Sequence, residues 1–147
     1  EGPMAIVTVI YNTPKDTAAF EKYYRDVHLP LLTANQQEIG REPMAIATVI
    51  DKQPKDSVAF EKYYAETHLP LLGANQQEIG FNKAELTKFE SNLDGSAPAR
   101  YRQAELYFPS LAALKKGTAT PGFKKVAGDL PNFATGGVEA LVAVETR

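Results

Sequence analysis

The sequence contains no cysteine, and only two of its 147 residues are histidines. The lack of cysteine excludes disulfides, thiolate zinc sites and a cysteine nucleophile. It also fits a reducing compartment, so we expect a cytoplasmic protein. No apolar run approaches the roughly 18 residues of a membrane-spanning helix, so we expect no membrane partner. What remains is the composition of a globular protein, with 44% hydrophobic and 23% charged residues.

Charge and motif content exclude further classes of function. The formal net charge is −2, and no cluster of lysine and arginine appears, so we expect no nucleic-acid partner. The sequence has neither a G-x-G-x-x-G motif nor a P-loop, which argues against nucleotide cofactors. The two histidines are forty residues apart, which gives no i, i+3 or i, i+4 pair for a metal ion. We therefore expect neither a metal nor another cofactor.

The dominant feature is an internal repeat. "AFEKYYRDVHLPLL" (Ala19–Leu32) returns forty residues later as "AFEKYYAETHLPLL" (Ala59–Leu72). Residues 3–40 align with residues 43–80 without a gap, and 28 of the 38 positions are identical. Nothing after residue 80 repeats the unit again, so the chain carries one tandem duplication and is not a solenoid. Each copy holds one of the two histidines, His28 and His68.

Each copy predicts a strand followed by a helix. Residues 44–50 form a short, β-branched, apolar run that favours a buried strand. Asp56 is a suitable N-cap for a helix that begins at Ser57, and Pro70 is expected to end or kink that helix. One helical stripe should face inward, comprising Phe60, Tyr64, Thr67, His68 and Leu71.

The remainder of the chain completes a known order of elements. Residues 83–91, 101–108 and 136–146 read as strands, and a helix capped by Ser110 continues past Pro121. The order β-α-β-β-α-β predicts a ferredoxin-like α+β fold, with four antiparallel strands and two helices on one face. The other face needs a cover, most simply the sheet of a second subunit.

Two parts of the chain are therefore distinguished. Residues 43–147 are expected to form the ferredoxin-like domain, and residues 1–42 are an extra β-α unit. That unit either competes for the same place in the sheet or pairs with another chain in a strand–helix swapped oligomer. The sequence leaves open whether the duplication is natural or engineered.

Two segments point to a family. "FEKYYAETHLPLL" and "GDLPNFATGGVEALVAVET" resemble the EthD family, over residues 44–146 and again over residues 4–40. The histidine-x-proline-leucine ending also occurs in methylmuconolactone methylisomerases. The resemblance implies a homodimeric α+β barrel with a pocket between each sheet and its helices. EthD itself is associated with degradation of ethyl tert-butyl ether, alongside a cytochrome P450 system. Some fungal relatives act on polyketide anthrones without cofactors, so the resemblance is consistent with a cofactor-free activity.

The candidate catalytic residues are His68 and Tyr64, with His28 and Tyr24 as their counterparts in the first copy. An inward His–Tyr pair in an apolar pocket suits general acid–base chemistry on an aromatic, lactone or polyketide-type metabolite. The alternative is a core histidine that bonds backbone carbonyls or favours the end of its helix. Phe60, Tyr107 and Phe133 are expected to line the pocket.

Three functions stay open on the sequence. The first is a cofactor-free lyase, isomerase or oxygenase that uses His68. The second is a non-catalytic module that binds a small hydrophobic molecule. The third is an assembly protein in which the duplicated unit drives self-association.

Overall fold

The computed structural model describes residues 5–28 and 43–146. The chain divides into two compact units, Glu1–Gly40 and Arg41–Arg147, and each is described by itself. In the described parts no helix is long and apolar enough to cross a membrane.

The smaller unit contains a helix but no strand among its described residues. Helix α1 spans Thr17–Tyr23, and a π-helical turn, Tyr24–His28, continues it. Residues 5–14 have no regular secondary structure, so the strand expected in the first copy is not formed there. The physical reason is that a strand requires a partner for its backbone hydrogen bonds. The apolar side chains of this segment, such as Val7 and Val9, are consequently exposed.

The larger unit is built on a four-stranded antiparallel sheet. Its strands are β1 (Ala45–Lys52), β2 (Lys83–Lys88), β3 (Arg100–Phe108) and β4 (Val138–Val144). Their spatial order is β2-β3-β1-β4, so β1 pairs with both β3 and β4. Together with its helices, this sheet confirms the predicted ferredoxin-like α+β architecture.

Helical segments connect the strands. Between β1 and β2 lie α2 (Ser57–Tyr63), a π-helical turn (Tyr64–His68), α3 (Leu69–Ala74) and α4 (Gln76–Ile79). Between β3 and β4 lie α5 (Leu111–Thr118), α6 (Pro121–Asp129) and a 3₁₀ turn (Leu130–Asn132).

Local sequence signals set the ends of these helices. The Asp56 carboxylate accepts a hydrogen bond from the Ala59 amide at 3.0 Å, as an N-cap should. Ser110 and Thr120 cap α5 and α6 in the same way. Gly80 ends α4 with a φ of 90°, a left-handed conformation that glycine adopts without strain.

Pro70 distorts the helical region between β1 and β2 but does not end it. Proline has no N–H, and its ring would collide with the Glu66 carbonyl in a regular α-helix. The chain widens into the π-helical turn instead, in which the Leu69 amide donates to the Tyr64 carbonyl. In this wider turn Thr67 is exposed. The prediction that Thr67 faces inward with the helical stripe is therefore wrong.

The core between sheet and helices has two parts. The first part, called the aliphatic cluster because most of its side chains are aliphatic, lies around Ile79, Leu114 and Phe108. Each of these three residues is at most 2% exposed. An aromatic cluster surrounds Phe60 and includes Tyr64, Tyr101 and Phe133. Burial of large apolar side chains, about 1.5–3 kcal/mol for each, provides the main force that holds α2 on the sheet.

We expect a chain that starts at residue 43 to fold alone, because all four strands and both core clusters lie within residues 45–144. Circular dichroism and thermal denaturation should show one cooperative transition. The matched control deletes residues 41–80, which leaves the first copy joined to Phe81. This control should be less stable, since it places Val7 and Tyr11 where Ala47 and Asp51 now stand. A molten or insoluble 43–147 chain would contradict this prediction.

Candidate functional site

A cavity lies between the sheet and the helices of the larger unit. The empty space in the cavity and at its open mouth, bulk solvent included, amounts to about 490 Å³. Its floor comes from β1 and β3, and its roof from the π-helical turn, α3 and α6. Its titratable lining residues are Asp51, Tyr64 and His68. The apolar wall consists of Val49, Leu72, Ala104, Leu106, Phe123, Val126, Ala127, Leu130 and Phe133.

The π-helical turn places two of the titratable side chains side by side. Tyr64 begins the turn and His68 ends it, and their rings stack with centroids 5.9 Å apart. Both residues are buried, and His68 also lies 4.5 Å from the Phe133 ring. Among the described contacts, the Tyr64 and His68 side chains meet through their rings and not through a hydrogen bond. Pro70, two residues after His68, thus affects the positions of both side chains, because it favours the π-helical turn that carries them.

His68 is held by a carboxylate from α6. Its Nδ1 lies 2.9 Å from Asp129 Oδ2, and both side chains are at most 10% exposed. Tyr63 Oη donates to Asp129 Oδ1 at 2.6 Å, and Asn132 Nδ2 donates to the same oxygen at 2.9 Å. These contacts fix the ring plane of the histidine, because the partner of one ring nitrogen sets the orientation of the whole imidazole.

The Asp129 carboxyl is stabilised in its charged form. Burial alone would raise its pKa, but the hydrogen bonds from Tyr63, Asn132 and His68 outweigh burial and lower the pKa. An ionised carboxylate can only accept, so Nδ1 donates in the bond to Asp129, and that bond does not involve Nε2. Nε2 is therefore the nitrogen left for a ligand.

Asp51 and Tyr64 lack such partners. Asp51 is 3% exposed, and neither its Oδ1 nor the Tyr64 hydroxyl has a hydrogen-bond partner in the described parts of the chain. Burial raises the pKa of Asp51 to about 6, although the Arg102 charge partly opposes this. Burial likewise raises the pKa of Tyr64 to about 12. Two buried polar atoms of residues that line the cavity thus have hydrogen bonds that the described residues do not supply.

Arg102 stands opposite Asp51 on β3 but is engaged elsewhere. Its Nε and Nη2 donate to the two carboxylate oxygens of Glu61, at 2.8 and 2.5 Å. The guanidinium also lies 4.9 Å from the centre of the Tyr64 ring. The hydrogen bond from Arg102 lowers the pKa of Glu61. This pair supports the Tyr64 ring and leaves Asp51 without a bonded cation.

The structure separates the candidates that the sequence proposed. His68, Tyr64 and Phe133 meet at the cavity, whereas Phe60 packs behind it in the aromatic cluster. Tyr107 lies outside the cavity, where its hydroxyl donates to Glu85 at 3.4 Å.

The candidates of the first copy belong to the smaller unit. The Tyr24 ring contacts Phe20 and Tyr11, at 5.6 and 6.0 Å between centroids. His28 closes the π-helical turn of that copy, and its side chain is outside the described part of the structure.

Sequence reasoning missed Asp51 and Asp129. Asp51 carried a weak signal, since it is the first polar residue after the apolar run of β1. Asp129 carried none, because 61 residues separate it from the histidine that it contacts. Within residues 5–28 and 43–146, no group of three histidine, cysteine or acidic side chains is placed to hold a metal ion.

Comparison with known proteins places the chain among relatives. The profile of the EthD domain matches residues 52–137. An uncharacterized 11.0 kDa protein from the thcB-thcC intergenic region of Rhodococcus erythropolis is 37% identical over 139 residues. That match covers 95% of this chain and 92% of the relative.

Two solved structures share the fold. An EthD family protein from Bacillus halodurans is 23% identical, with a TM-score of 0.62 over 70% of this chain and 99% of the other. A dimeric protein of unknown function and ferredoxin-like fold from Bacteroides fragilis is 13% identical, with a TM-score of 0.51. Its match covers 68% of this chain and 94% of the other.

Asp51→Asn should change the dependence of stability on pH. Because the pKa of Asp51 is raised in the folded protein, its ionisation destabilises the fold as the pH rises from about 4 to about 6. The substitution removes that charge. Relative to the wild type, the variant should therefore gain on the order of 2–3 kcal/mol in free energy of unfolding between pH 4 and pH 7.5.

Urea denaturation at both pH values measures this difference. Asp26→Asn, at an exposed position, is the matched control and should change stability by less than about 0.5 kcal/mol at either pH. Parallel pH curves for Asp51→Asn and the wild type would contradict the prediction.

Proposed function

The chain belongs to the EthD family, and from this membership we propose that its cavity binds a small, largely apolar molecule with which His68 exchanges a proton. The observation that carries the proposal is a buried histidine that is fixed by Asp129 and lines an apolar cavity. A structural histidine would have both ring nitrogens engaged by the protein. His68 instead has one engaged nitrogen, and no described residue bonds the other.

The arrangement supports general base catalysis. Nε2 accepts a proton from the ligand, and the resulting imidazolium is stabilised by the ionised carboxylate of Asp129 at Nδ1. The same ring can return the proton to another atom of the ligand, which is the chemistry of an isomerase or a lyase. A positioned base of this kind contributes roughly 10²–10⁴-fold to a rate.

The walls favour a planar ligand. Phe133 and Tyr64 present ring faces and edges, and Phe123, Leu130 and Val126 add apolar surface. Aromatic walls contact flat molecules efficiently, which supports an aromatic, lactone or polyketide-type metabolite with an acidic C–H or O–H group.

The exposed edge of the sheet supports self-association. β4 is an edge strand, and its side chains Val138, Leu141, Val142 and Val144 are each at least 38% exposed. Exposed apolar edges are sites of pairing between chains. We propose a homodimer through this edge, in preference to an oligomer swapped through the first copy.

Exchange of a carbon-bound proton tests the role of His68. We expect the protein to accelerate deuterium incorporation into 2-tetralone in D₂O, followed by NMR. His68→Ala should lower that rate by at least roughly 10²-fold, because the base is removed. His28→Ala, the matched change in the other copy, should retain the rate.

The outcomes separate catalysis from binding. Unchanged exchange by a folded His68→Ala would refute the catalytic role. Binding of 2-tetralone by the wild type without any acceleration would favour a non-catalytic binding module.

The mass in solution tests the proposed assembly. We expect light scattering to give twice the chain mass for both the full protein and the 43–147 chain, and Val142→Lys to give the monomer. A dimer that disappears when residues 1–42 are deleted would instead favour the swapped oligomer.

A further inference from the structure

We propose that Asp51 and Tyr64 form a hydroxyl-recognition pair, which selects neutral ligands that carry an alcohol, phenol or enol group at one end of an apolar body. The inference rests on the proposed use of this cavity as a ligand site. It goes further because it names the polar end of the ligand and the side chains that bind it.

The first argument is the cost of leaving buried groups unpaired. Asp51 Oδ1 and the Tyr64 hydroxyl are enclosed, and no described residue bonds either atom. Native structures rarely contain such atoms, and each one requires an explanation. Here the two residues line the same cavity, among side chains that are otherwise apolar apart from His68. A ligand group that reaches both atoms from the cavity would satisfy them together.

The second argument is that the nearest cation does not serve Asp51. Arg102 is paired with Asp51 in the sheet register, yet its guanidinium bonds Glu61 through two hydrogen bonds. His68, the other basic group at the cavity, is engaged with Asp129. Asp51 therefore keeps an acceptor oxygen for a group that enters from the cavity.

The third argument identifies that group. Tyr64 stays protonated at neutral pH, because its pKa is raised to about 12, and so it donates. Asp51 accepts once it is ionised, which at neutral pH is its main form. A hydroxyl is at once a donor and an acceptor, so one hydroxyl satisfies both residues. A carboxylate would face the Asp51 charge, and an ammonium group has no lone pair to accept from Tyr64.

The pair also sets where the ligand lies. Tyr64 and His68 are one turn apart, with ring centroids separated by 5.9 Å. A ligand anchored through its hydroxyl at Tyr64 consequently presents its adjoining atoms to the imidazole. This geometry suits proton transfer at a carbon near the hydroxyl.

Four bicyclic probes with one shared body test the inference at pH 7.5: 2-naphthol, naphthalene, 2-naphthoate and 2-(aminomethyl)naphthalene. Dissociation constants are measured by NMR titration. We expect 2-naphthol to bind roughly tenfold tighter than naphthalene, the value of one to two net hydrogen bonds. The carboxylate and the ammonium probe should bind more weakly than 2-naphthol.

Two substitutions assign this preference to the pair. Asp51→Asn and Tyr64→Phe should each reduce the advantage of 2-naphthol by roughly threefold or more, with the affinity for naphthalene unchanged. Tyr23→Phe and Asp26→Asn, at exposed positions of the smaller unit, should preserve it.

The failures are distinguishable. Equal affinity for 2-naphthol and naphthalene, tightest binding of the ammonium probe, or an advantage that survives in both variants would overturn the hydroxyl-recognition pair. Each of these outcomes would leave the cavity as a ligand site. Absence of binding by all four probes would instead overturn the ligand site itself, and the pair with it.

Discussion

The place between β3 and β4 accommodates a single strand, because β1 already exchanges backbone hydrogen bonds with β3 on one side and β4 on the other. The chain nevertheless carries two sequences suited to that place, since residues 5–10 and 45–50 differ only at Val7 and Ala47. The rest of the site depends on which copy occupies the centre. With the second copy there, β1 brings Asp51 to the cavity floor, and the π-helical turn that follows α2 brings His68 within reach of Asp129.

Two physical effects favour the second copy. If the first copy formed the central strand, residues 41–80 would become an insertion before β2, at an entropic cost on the order of 2 kcal/mol. The side chains favour the same outcome. Ala47 is buried in the aliphatic cluster, and a valine there would overpack it by about 1–3 kcal/mol. The equivalent of Asp51 is Tyr11, whose ring would enter the cavity.

The two copies also separate local from tertiary effects. Asp16 and Asp56 cap their helices with nearly the same backbone angles, and each helix passes into a π-helical turn before its proline. Burial differs, since α1 has no buried residue whereas Phe60 in α2 is 1% exposed. The helix and its distortion are therefore encoded locally, but the use of its aromatic face depends on the sheet beneath it.

This distinction explains how far the sequence alone could predict the molecule. Asp56, Gly80 and Ser110 act through neighbours a few residues away, so the helix limits could be predicted, and the strand order followed from the alternation of elements. The strand of the first copy could not be excluded, because its absence depends on an occupied partner. Asp129 could not be placed beside His68, because that contact also forms only when distant parts of the chain pack together. Thr67 was misplaced because helical periodicity assumes a regular α-helix, which Pro70 prevents.

The neighbouring tyrosines Tyr63 and Tyr64 show where the fold satisfies its polar groups and where it does not. Tyr63 donates to Asp129, which also receives Asn132 and His68, so every strong donor around that carboxylate is used. One residue later, Tyr64 lines the cavity, and no described residue bonds its buried hydroxyl. Each unpaired buried group costs about 1–3 kcal/mol of stability. Three side chains satisfy Asp129, whereas no described residue satisfies the Tyr64 hydroxyl. Tyr64 lines the same cavity as His68, so the cost falls where a ligand would recover it.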